Sequence, residues 1–255
     1  MNIDLSGQIV FLTGATSGIG VSAAHLLSQA GATVAIHYNT NEREAKALQK
    51  KTGNYSKIFQ ADLSNTNDAE KCFEEVISTY GKIDTLINNA GVYLRSPLDT
   101  HTTEWLESWH RTLTINLTSA GLLCKLAIPV FKRQEGGRII NIASRAAFRG
   151  DTDEYLAYAA SKGGLVSLTR TIARAYGKNN IKAFIVAPGF VKTKMAKEFI
   201  QIHGKKSIID ELSLKKLTEP EDVAPAIVFL ASGMMDHVTG NTIDINAGSY
   251  VRCGL

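Results

Sequence analysis

The chain of 255 residues is 44% hydrophobic and 20% charged, and its 28 basic and 24 acidic side chains leave a net charge of only +4. This composition excludes an intrinsically disordered chain, a collagen and a coiled coil. On reading the sequence, no apolar stretch approaches the about 20 residues that span a bilayer, and the N-terminal residues lack the basic-then-apolar order of a signal peptide. We therefore expect a cytoplasmic protein with no membrane association. Because no basic block is interleaved with aromatic residues, we also expect no nucleic-acid partner.

The cysteines and histidines give no indication of a metal site. The three cysteines, Cys72, Cys124 and Cys253, are odd in number and far apart, and the six histidines show no metal-ligand spacing. We therefore expect neither a disulfide framework nor a bound metal.

Short apolar segments alternate with longer amphipathic segments along the whole chain. The predicted strands are Gln8–Leu12, Thr33–Tyr38, Lys57–Ala61, Asp84–Asn88, Arg138–Ala143, Lys182–Ala187 and Thr242–Asn246. The predicted helices are Ile19–Ala30, Glu42–Lys51, Asn67–Tyr80, Thr103–Lys132, Tyr155–Tyr176 and Pro220–Ala231. Strands that are apolar on both faces are typical of buried parallel sheets. The sequence therefore predicts one α/β domain over residues 1–255, with a doubly wound, seven-stranded parallel sheet and helices on both faces.

A glycine-rich loop, Thr13–Gly20, lies between the first predicted strand and the first predicted helix. Gly14 can take the tight turn, Gly18 lets backbone N–H groups approach a pyrophosphate, and Gly20 allows close packing of helix and strand. Strand, loop and helix follow in the order that a dinucleotide site requires. The predicted cofactor contacts here are Gly14, Thr16, Ser17, Gly18, Ile19 and Gly20.

The end of the second strand bears on the identity of the cofactor. Sheets that prefer NAD place an acidic side chain there for the ribose 2′-hydroxyl. This chain has no carboxylate before Glu42 and no basic side chain before Arg43. Polar side chains available to donate hydrogen bonds to a 2′-phosphate belong to His37, Asn39, Thr40 and Asn41, and Tyr38 lies among them. NADP(H) is therefore favoured, and NAD(H) stays possible.

The ends of the remaining strands carry small or polar residues, as expected where ligands bind at the carboxyl edge of a parallel sheet. Asp62 is placed either to accept from the adenine amino group or to cap the next helix. Tyr158 and Lys162 lie four residues apart in a helical segment, so they share one face. The residues at the strand ends are Asp62 and Leu63, Asn88 to Gly91, Ser144, and Pro188 and Gly189.

Six motifs in order, TGATSGIG, NNAG, Asn116, Ser144, the YAASK segment from Tyr158 to Lys162, and PGFVKT, resemble the short-chain dehydrogenase/reductase family from about Leu5 to Gly248. The resemblance implies a Rossmann fold and a nicotinamide cofactor. It implies that Tyr158 is the acid/base, that Lys162 lowers the Tyr158 pKa and holds the nicotinamide ribose, and that Ser144 binds the substrate carbonyl. Asn116 is expected to hold a helix kink and a water for proton relay.

The same resemblance adds further contacts to the cofactor. We expect Asn89, Ala90 and Gly91 to line the cofactor cleft, and the loop from Pro188 through Gly189 to meet the carboxamide through Val191 and Thr193.

The resemblance leaves the substrate open. The length of the chain and its second strand resemble 3-oxoacyl-[acyl-carrier-protein] reductase-like members of the family. This resemblance implies an NADPH-dependent reductase of ketones or 3-oxoacyl groups, and its substrate is either a small carbonyl or alcohol compound or a thioester that carries such a group. The carrier-docking positions, however, carry Glu135 and Asn179 rather than basic residues. The alternatives are an NAD-dependent dehydrogenase of sugars, polyols or steroids, and a non-catalytic sensor that binds the cofactor.

The sequence leaves three further features to be settled: the loop after Ser144, the segment 194–216 and the assembly of the chain. The spacing from Ser144 to Tyr158 is one residue longer than is common in the family, and Arg145 and Arg149 in that loop either meet a small anionic substrate or lie in solvent. Residues 194–216 are expected to form a mobile lid whose lysines are either a solvated face or steer an anionic substrate. The second apolar face of the long helix, with Leu122, Leu123, Leu126, Ile128 and Val130, and the pairing of these helices in relatives predict a homotetramer.

Overall fold

A single parallel sheet forms the centre of the protein. The computed structural model describes residues 3–53 and 55–252. Its strands are β1 Ile9–Leu12, β2 Thr33–Tyr38, β3 Lys57–Gln60, β4 Thr85–Asn88, β5 Gly137–Ile142, β6 Ile181–Pro188 and β7 Thr242–Ile245. They lie in the order β3-β2-β1-β4-β5-β6-β7, and every pair of neighbours is parallel. The predicted fold class is confirmed, and each predicted strand agrees with the observed one to within one residue at either end.

Helices cover both faces of this sheet. They are α1 Ile19–Gln29, α2 Glu42–Thr52, α3 Thr66–Tyr80, α4 Thr102–Leu113, α5 Ser119–Arg133, α6 Ala146–Arg149, α7 Leu156–Tyr176, α8 Lys194–His203, α9 Lys205–Asp210 and α10 Pro220–Ala231. The short helices α6, α8 and α9 were not predicted. The predicted helix from Thr103 to Lys132 is a continuous helical run from Thr102 to Arg133, but the π-helical turn at Thr114–Thr118 that divides it into α4 and α5 was not predicted.

Alternate residues of each strand supply two separate cores. Val10 and Leu12 of β1 face α1 and α10, where they pack with Leu27 and Ile227. Phe11, between them, points to the opposite face and packs with residues of α3 and α5. This alternation is the period-two pattern of a strand that is buried on both sides, and it fixes the register of the sheet.

The strand order reverses between β1 and β4, which are neighbours in the middle of the sheet. At such a switch point the connecting helices leave on opposite faces, so a crevice opens beyond the carboxyl ends of the strands. The glycine-rich loop after β1 and the NNAG segment after β4 both lie at this crevice.

The statement that no apolar segment is long enough to span a bilayer is wrong for one helical run. The helical run Thr102–Arg133 is 32 residues long and has a mean hydropathy of 1.5 over its most apolar window, so it is long and apolar enough to cross a bilayer by length and composition. Part of this run is buried, 44% of that window, and α5 packs against α3. A core helix passes the same test, and the packing explains the apolar residues of this one.

The same packing also covers the apolar residues of α5 that were expected to form a subunit interface. Leu123, Ile128 and Val130 are buried within the protomer, and Leu122 and Leu126 pack partly buried against the same core. These five residues therefore do not form an unpartnered apolar face.

Cys72 and Cys124 are buried free thiols, and Cys253 lies outside the described residues. Among the described residues no group of histidines, cysteines and carboxylates is arranged to hold a metal ion.

Candidate active site

A cleft with a volume of about 380 Å³ opens at the carboxyl edge of the sheet. All the predicted cofactor-binding residues line it except Gly20 and Tyr38. Gly20 instead packs beneath the glycine-rich loop, and Tyr38 is buried at the end of β2.

The glycine-rich loop is built for close approach. Gly14 and Gly18 have φ angles of +61° and +50°, in the left-handed region that favours glycine. A Cβ atom on Gly20 would lie 2.3 Å from the carbonyl oxygen of Gly14, so only glycine lets α1 start this close to β1. No side chain caps α1, and no acidic residue lies in its first turn. Its positive N-terminal end therefore fits the pyrophosphate of a nicotinamide dinucleotide.

Asn89 and Thr13 bind the NNAG segment to this loop. The Asn89 side-chain amide donates to the carbonyl oxygens of Thr13 and Gly14, at 2.9 and 3.0 Å. The Thr13 hydroxyl accepts from the backbone N–H groups of Asn89 and Ala90 at 2.9 and 3.0 Å. These four bonds hold the two loops as one rigid wall of the cleft.

His37 is an internal bridge rather than a free donor. Its Nδ1 accepts from the N–H of Gly14 at 3.0 Å, and its Nε2 lies 3.2 Å from the carbonyl oxygen of Ala61. Both contacts are hydrogen bonds only in the neutral tautomer that carries its proton on Nε2. Burial lowers the pKa of His37 to about 4, so the ring is uncharged at neutral pH. Its polar atoms are therefore committed to the protein and not to a 2′-phosphate.

The rest of the ribose end is uncharged. Asn39, Thr40 and Asn41 line this part of the cleft. Among the described residues that line the cleft, none at the end of β2 is acidic or basic. The first turn of α2 beyond it carries Glu42 and Glu44.

Asp62 lines the adenine side of the cleft with its neighbour Leu63. Its carboxylate accepts from the N–H of Ser64 at 2.9 Å, and this bond holds the pKa of Asp62 below its usual value. The alternative that Asp62 caps the next helix is wrong, because Asn65 is the N-cap of α3.

Asn116 lies in the π-helical turn and connects two segments of the site. Its Oδ1 accepts from the N–H of Val92 at 2.8 Å, and its Nδ2 donates to the carbonyl oxygen of Val92 at 3.0 Å and to the Ser161 hydroxyl at 3.1 Å. The Ser161 hydroxyl in turn donates to the carbonyl oxygen of Tyr158 at 2.7 Å. The π-turn thus places Asn116 where it links the loop after β4 to the first turns of α7.

Ser144, Tyr158 and Lys162 line one part of the cleft. Ser144 ends the segment that follows β5, and its hydroxyl accepts from the N–H of Ala146 at 3.1 Å. Lys162 is 4% exposed, and its Nζ donates to the carbonyl oxygen of Ile142 at 2.8 Å and lies 5.8 Å from the centre of the Tyr158 ring. The structure therefore brings together the residues that the sequence placed on separate elements.

Burial changes the pKa values of both Tyr158 and Lys162. The surrounding protein desolvates the phenol and raises its pKa to about 12, although a hydrogen bond with Ser144 acts in the opposite direction. Burial also lowers the pKa of Lys162 to about 8, because the ammonium is desolvated. The expectation that Lys162, together with the positive charge of a bound nicotinamide, lowers the Tyr158 pKa stays a prediction.

Sequence reasoning missed an aromatic wall beside Tyr158. The Tyr93 ring stacks on Tyr155 with centroids 3.8 Å apart and meets the Tyr158 ring edge-on at 4.6 Å. The Tyr93 hydroxyl donates to Asp151 at 3.2 Å. The position of Tyr93, two residues after the NNAG segment, was a usable signal for it. Asp151 gave no signal, because it lies in the loop with the unusual spacing.

The two arginines after Ser144 lie at the cleft. Arg145 is 5% exposed and lines it, so the interpretation as a solvated loop residue is wrong for Arg145. Arg149 also lines the cleft and is partly exposed. The Nη2 of Arg145 and the Nη1 of Arg149 lie 3.5 and 3.3 Å from one carboxylate oxygen of Glu211.

The segment expected to form a lid packs over the aromatic wall. Phe199 of α8, Ile208 of α9 and Leu212 form a small apolar cluster with Tyr155. Lys194, Met195 and Ala196 at the start of α8 line the cleft.

Comparisons with known proteins identify the family. A family model described as enoyl-(acyl carrier protein) reductase matches residues 14–250. The chain is 31% identical over 249 residues to the 3-oxoacyl-[acyl-carrier-protein] reductase FabG of Thermotoga maritima, which covers 97% of this chain and 99% of that relative. It is also 31% identical over 257 residues to 3beta-hydroxysteroid dehydrogenase 1 of Eggerthella lenta, which covers 99% and 97% of the two chains.

Among solved structures, a short-chain dehydrogenase/reductase from Brucella melitensis, described as a glucose/ribitol dehydrogenase, superposes with a TM-score of 0.89. It is 32% identical, and the match covers 99% of this chain and 100% of that one. Because the matches extend over nearly the whole chain and the cleft holds the family's motifs in one place, the chain belongs to the short-chain dehydrogenase/reductase family and is an NAD(P)-dependent oxidoreductase acting on CH–OH and C=O groups.

Proposed function

We propose that this enzyme reduces the carbonyl of a small ketone or 3-oxoacyl compound, with Tyr158 as the proton donor and NADP(H) as the favoured cofactor. The observation that carries the proposal is the grouping of Ser144, Tyr158 and Lys162 in the cleft whose other end holds the glycine-rich loop. When bound, the nicotinamide supplies or accepts the hydride. The likeness to relatives that are 3-oxoacyl-[acyl-carrier-protein] reductases favours the oxoacyl substrate over a sugar or steroid alcohol.

The protonation state of Tyr158 suits reduction. With a pKa raised to about 12, the phenol keeps its proton at neutral pH and can give it to the oxygen of a carbonyl that is being reduced. The Ser144 hydroxyl lies beside it as a donor to the same oxygen. The charge on Lys162 stabilises the tyrosinate that remains, and only one of its three N–H donors is used by Ile142.

Asn116 is a positioning residue in this scheme. Through Ser161 it fixes the carbonyl group of Tyr158, and through Val92 it fixes the loop beyond the NNAG segment. Its side-chain amide keeps the first turn of α7 and that loop in register, so the phenol is aimed into the cleft. The contribution of such pre-organisation to a rate is large, because small displacements of reacting groups are costly.

The proposed cofactor preference is modest. The absence of a carboxylate among the described lining residues at the end of β2 removes repulsion against a 2′-phosphate, which supports NADP(H). The neutral His37 and the amides of Asn39 and Asn41 offer no charge to attract that phosphate. We therefore expect the ratio of kcat/KM for NADPH over NADH to exceed one but to stay below about a hundred, which corresponds to less than about 3 kcal/mol.

The decisive experiment is oxidation of NADPH and NADH against a panel of carbonyls that includes acetoacetyl thioesters, diketones, keto sugars and ketosteroids. Tyr158→Phe should lower kcat by a factor of about 10² to 10⁴, since it removes only the acid. Tyr176→Phe, the same change at the far end of α7, is the matched control. Full activity of Tyr158→Phe would refute the assignment of the acid. Turnover of keto sugars or ketosteroids alone would favour the sugar or steroid dehydrogenase alternative, and no turnover would favour a sensor.

We also propose a cytoplasmic homotetramer. Two buried free thiols suit a reducing compartment. Leu106 of α4 and Leu156 at the start of α7 are 41% and 43% exposed, and the stacked rings of Trp105 and Trp109 lie on α4. These residues give a subunit interface on α4 and α7. Light scattering at micromolar concentration should give four times the protomer mass, and a monomer mass would refute the assembly.

A further inference from the structure

The loop after Ser144 carries a buried positive charge that the protein leaves incompletely satisfied. The Arg145 guanidinium stacks over the Phe190 ring at 4.7 Å, and its Nη1 is buried with no hydrogen-bond partner among the described residues. An unpaired charged donor is far more costly in free energy when it is buried than when water can accept its hydrogen bond. An arginine in this state at a cleft wall therefore indicates a missing acceptor.

The carboxylate that forms an ion pair with Arg145 among the described residues, Glu211, is a poor match for it. Arg145 and Arg149 share one oxygen of Glu211, at 3.5 and 3.3 Å, and the Glu211 side chain is 49% exposed. A well-formed arginine–carboxylate pair is bidentate and lies closer to 2.8 Å. Asp151, the other nearby carboxylate, is turned to the Tyr93 hydroxyl and the N–H of Thr152. Arg145 and Arg149 therefore share Glu211 as a distant ion-pair partner, and Asp151, which lines the same cleft, acts on them electrostatically without a hydrogen bond in the part of the chain that the structure describes.

The two arginines line the same cleft as the reacting groups. Arg145 directly follows Ser144 in the chain, and its backbone N–H donates to the carbonyl oxygen of Pro188 at 2.9 Å. Arg145, Arg149, Ser144 and Tyr158 line the same cleft. An anionic group that reaches the arginines can therefore belong to the molecule whose carbonyl is held by Ser144 and Tyr158.

We propose that Arg145 and Arg149 form an anion subsite and that the substrate is a short oxo acid, whose carboxylate replaces Glu211 while its carbonyl is reduced. This inference rests on the proposed function, which it narrows. The phosphate groups of a coenzyme A or phosphopantetheine thioester are the other source of negative charge. They are separated from the thioester by many bonds, whereas the arginine subsite is adjacent to Ser144, and so a carboxylate fits better.

The first test compares three 3-oxo compounds that differ in charge: acetoacetate, its neutral ethyl ester and acetoacetyl-CoA. The wild-type enzyme should use acetoacetate with a higher kcat/KM than the ester. Arg149→Gln and Arg145→Gln should each lower kcat/KM for acetoacetate by a factor of about 10 to 100, mainly through KM, and leave the ester within about twofold. Arg133→Gln, which removes the same charge at the exposed end of α5, is the matched control.

Glu211→Gln separates a binding site from a lid latch. If Glu211 competes with the substrate carboxylate, its removal should lower KM for acetoacetate and leave the ester unchanged. If the arginines only hold the lid through Glu211, then Glu211→Gln and Arg149→Gln should impair both substrates alike. That second result would overturn the proposal, and so would equal use of acid and ester by the wild type.

A binding measurement keeps this inference separable from the proposed function. Acetoacetate should raise the unfolding temperature of the wild type but not that of Arg149→Gln, whether or not any carbonyl is reduced. Failure of all turnover with this binding intact would refute the proposed reduction alone. Arginine-dependent kinetics seen only with acetoacetyl-CoA would assign the subsite to a phosphate and refute the oxo-acid substrate.

Discussion

The buried His37 gives the strongest prediction about stability. Its ring is 2% exposed and bridges Gly14 and Ala61 as a neutral acceptor and donor. Protonation would turn Nδ1 into a second donor pointing at the Gly14 N–H, which breaks the bridge. Because burial lowers the His37 pKa from 6.5 to about 4, the unfolded chain takes up this proton first as the pH falls.

The sign and size of the effect follow from that difference. The unfolded state binds more protons than the folded state between pH 6.5 and about 4, so this contribution is complete above pH 6.5 and is lost as the pH falls through the window. The separation of the two pKa values corresponds to about 3 kcal/mol of unfolding free energy. No reduction for solvent screening is needed, since the ring is buried.

Urea unfolding of the wild type and of His37→Asn, between about pH 4.5 and 7.5, measures this term. Asparagine can accept from the Gly14 N–H but does not titrate, so the difference between the two curves removes the contribution of the carboxylates. The wild type should lose about 2 to 3 kcal/mol more than the variant across the range. His101→Asn, the same substitution at an exposed histidine, controls for the replacement. A difference that stays constant with pH would refute the neutral bridge.

Two further predictions concern the reaction and the cofactor loop. The kcat/KM for carbonyl reduction should fall above about pH 8, where buried Lys162 loses its proton, and Lys162→Arg should move this limb to higher pH; an unmoved limb would assign it to another group. Gly20→Ala should cost about 1 to 3 kcal/mol of unfolding free energy and weaken cofactor binding, because its Cβ would lie 2.3 Å from a backbone oxygen. Gly177→Ala, where the added Cβ meets nothing within 4 Å, should be neutral in the same urea titration.

The central strands were predictable because they are buried on both faces, as β4 is along its whole length and β6 along most of it. Such a strand must be largely apolar, and that requirement is visible in segments such as residues 183–187. The edge strands β3 and β7 are less buried. The short helices were not predictable for the opposite reason. Helix α9 buries little more than Ile208 along its length, so its sequence carries almost no periodic signal.

The π-turn shows where local propensity gives way to a tertiary requirement. The sequence from Thr103 to Lys132 is typical of one helix. The nearest glycine and proline, Gly121 and Pro129, both follow the π-turn, so neither marks its position. The extra residue in the turn is held by contacts from other segments, because Asn116 bonds to Val92 and Ser161 rather than only along its own helix. A pattern within one segment cannot contain that information.

The candidate site divides in the same way. Motifs locate residues that act through backbone shape or fixed spacing, such as Gly14 and the pair Tyr158 and Lys162. They do not give the electrostatic state of those residues, which depends on what surrounds them. His37 was expected to be available as a donor to a phosphate, but both of its ring nitrogens form hydrogen bonds within the protein. The sequence allowed two interpretations of Arg145, a solvated loop residue or a contact for an anionic substrate, and only its burial in the fold excludes the first. Charge in this cleft is therefore a property of the fold, and it is the charge that distinguishes one substrate from another.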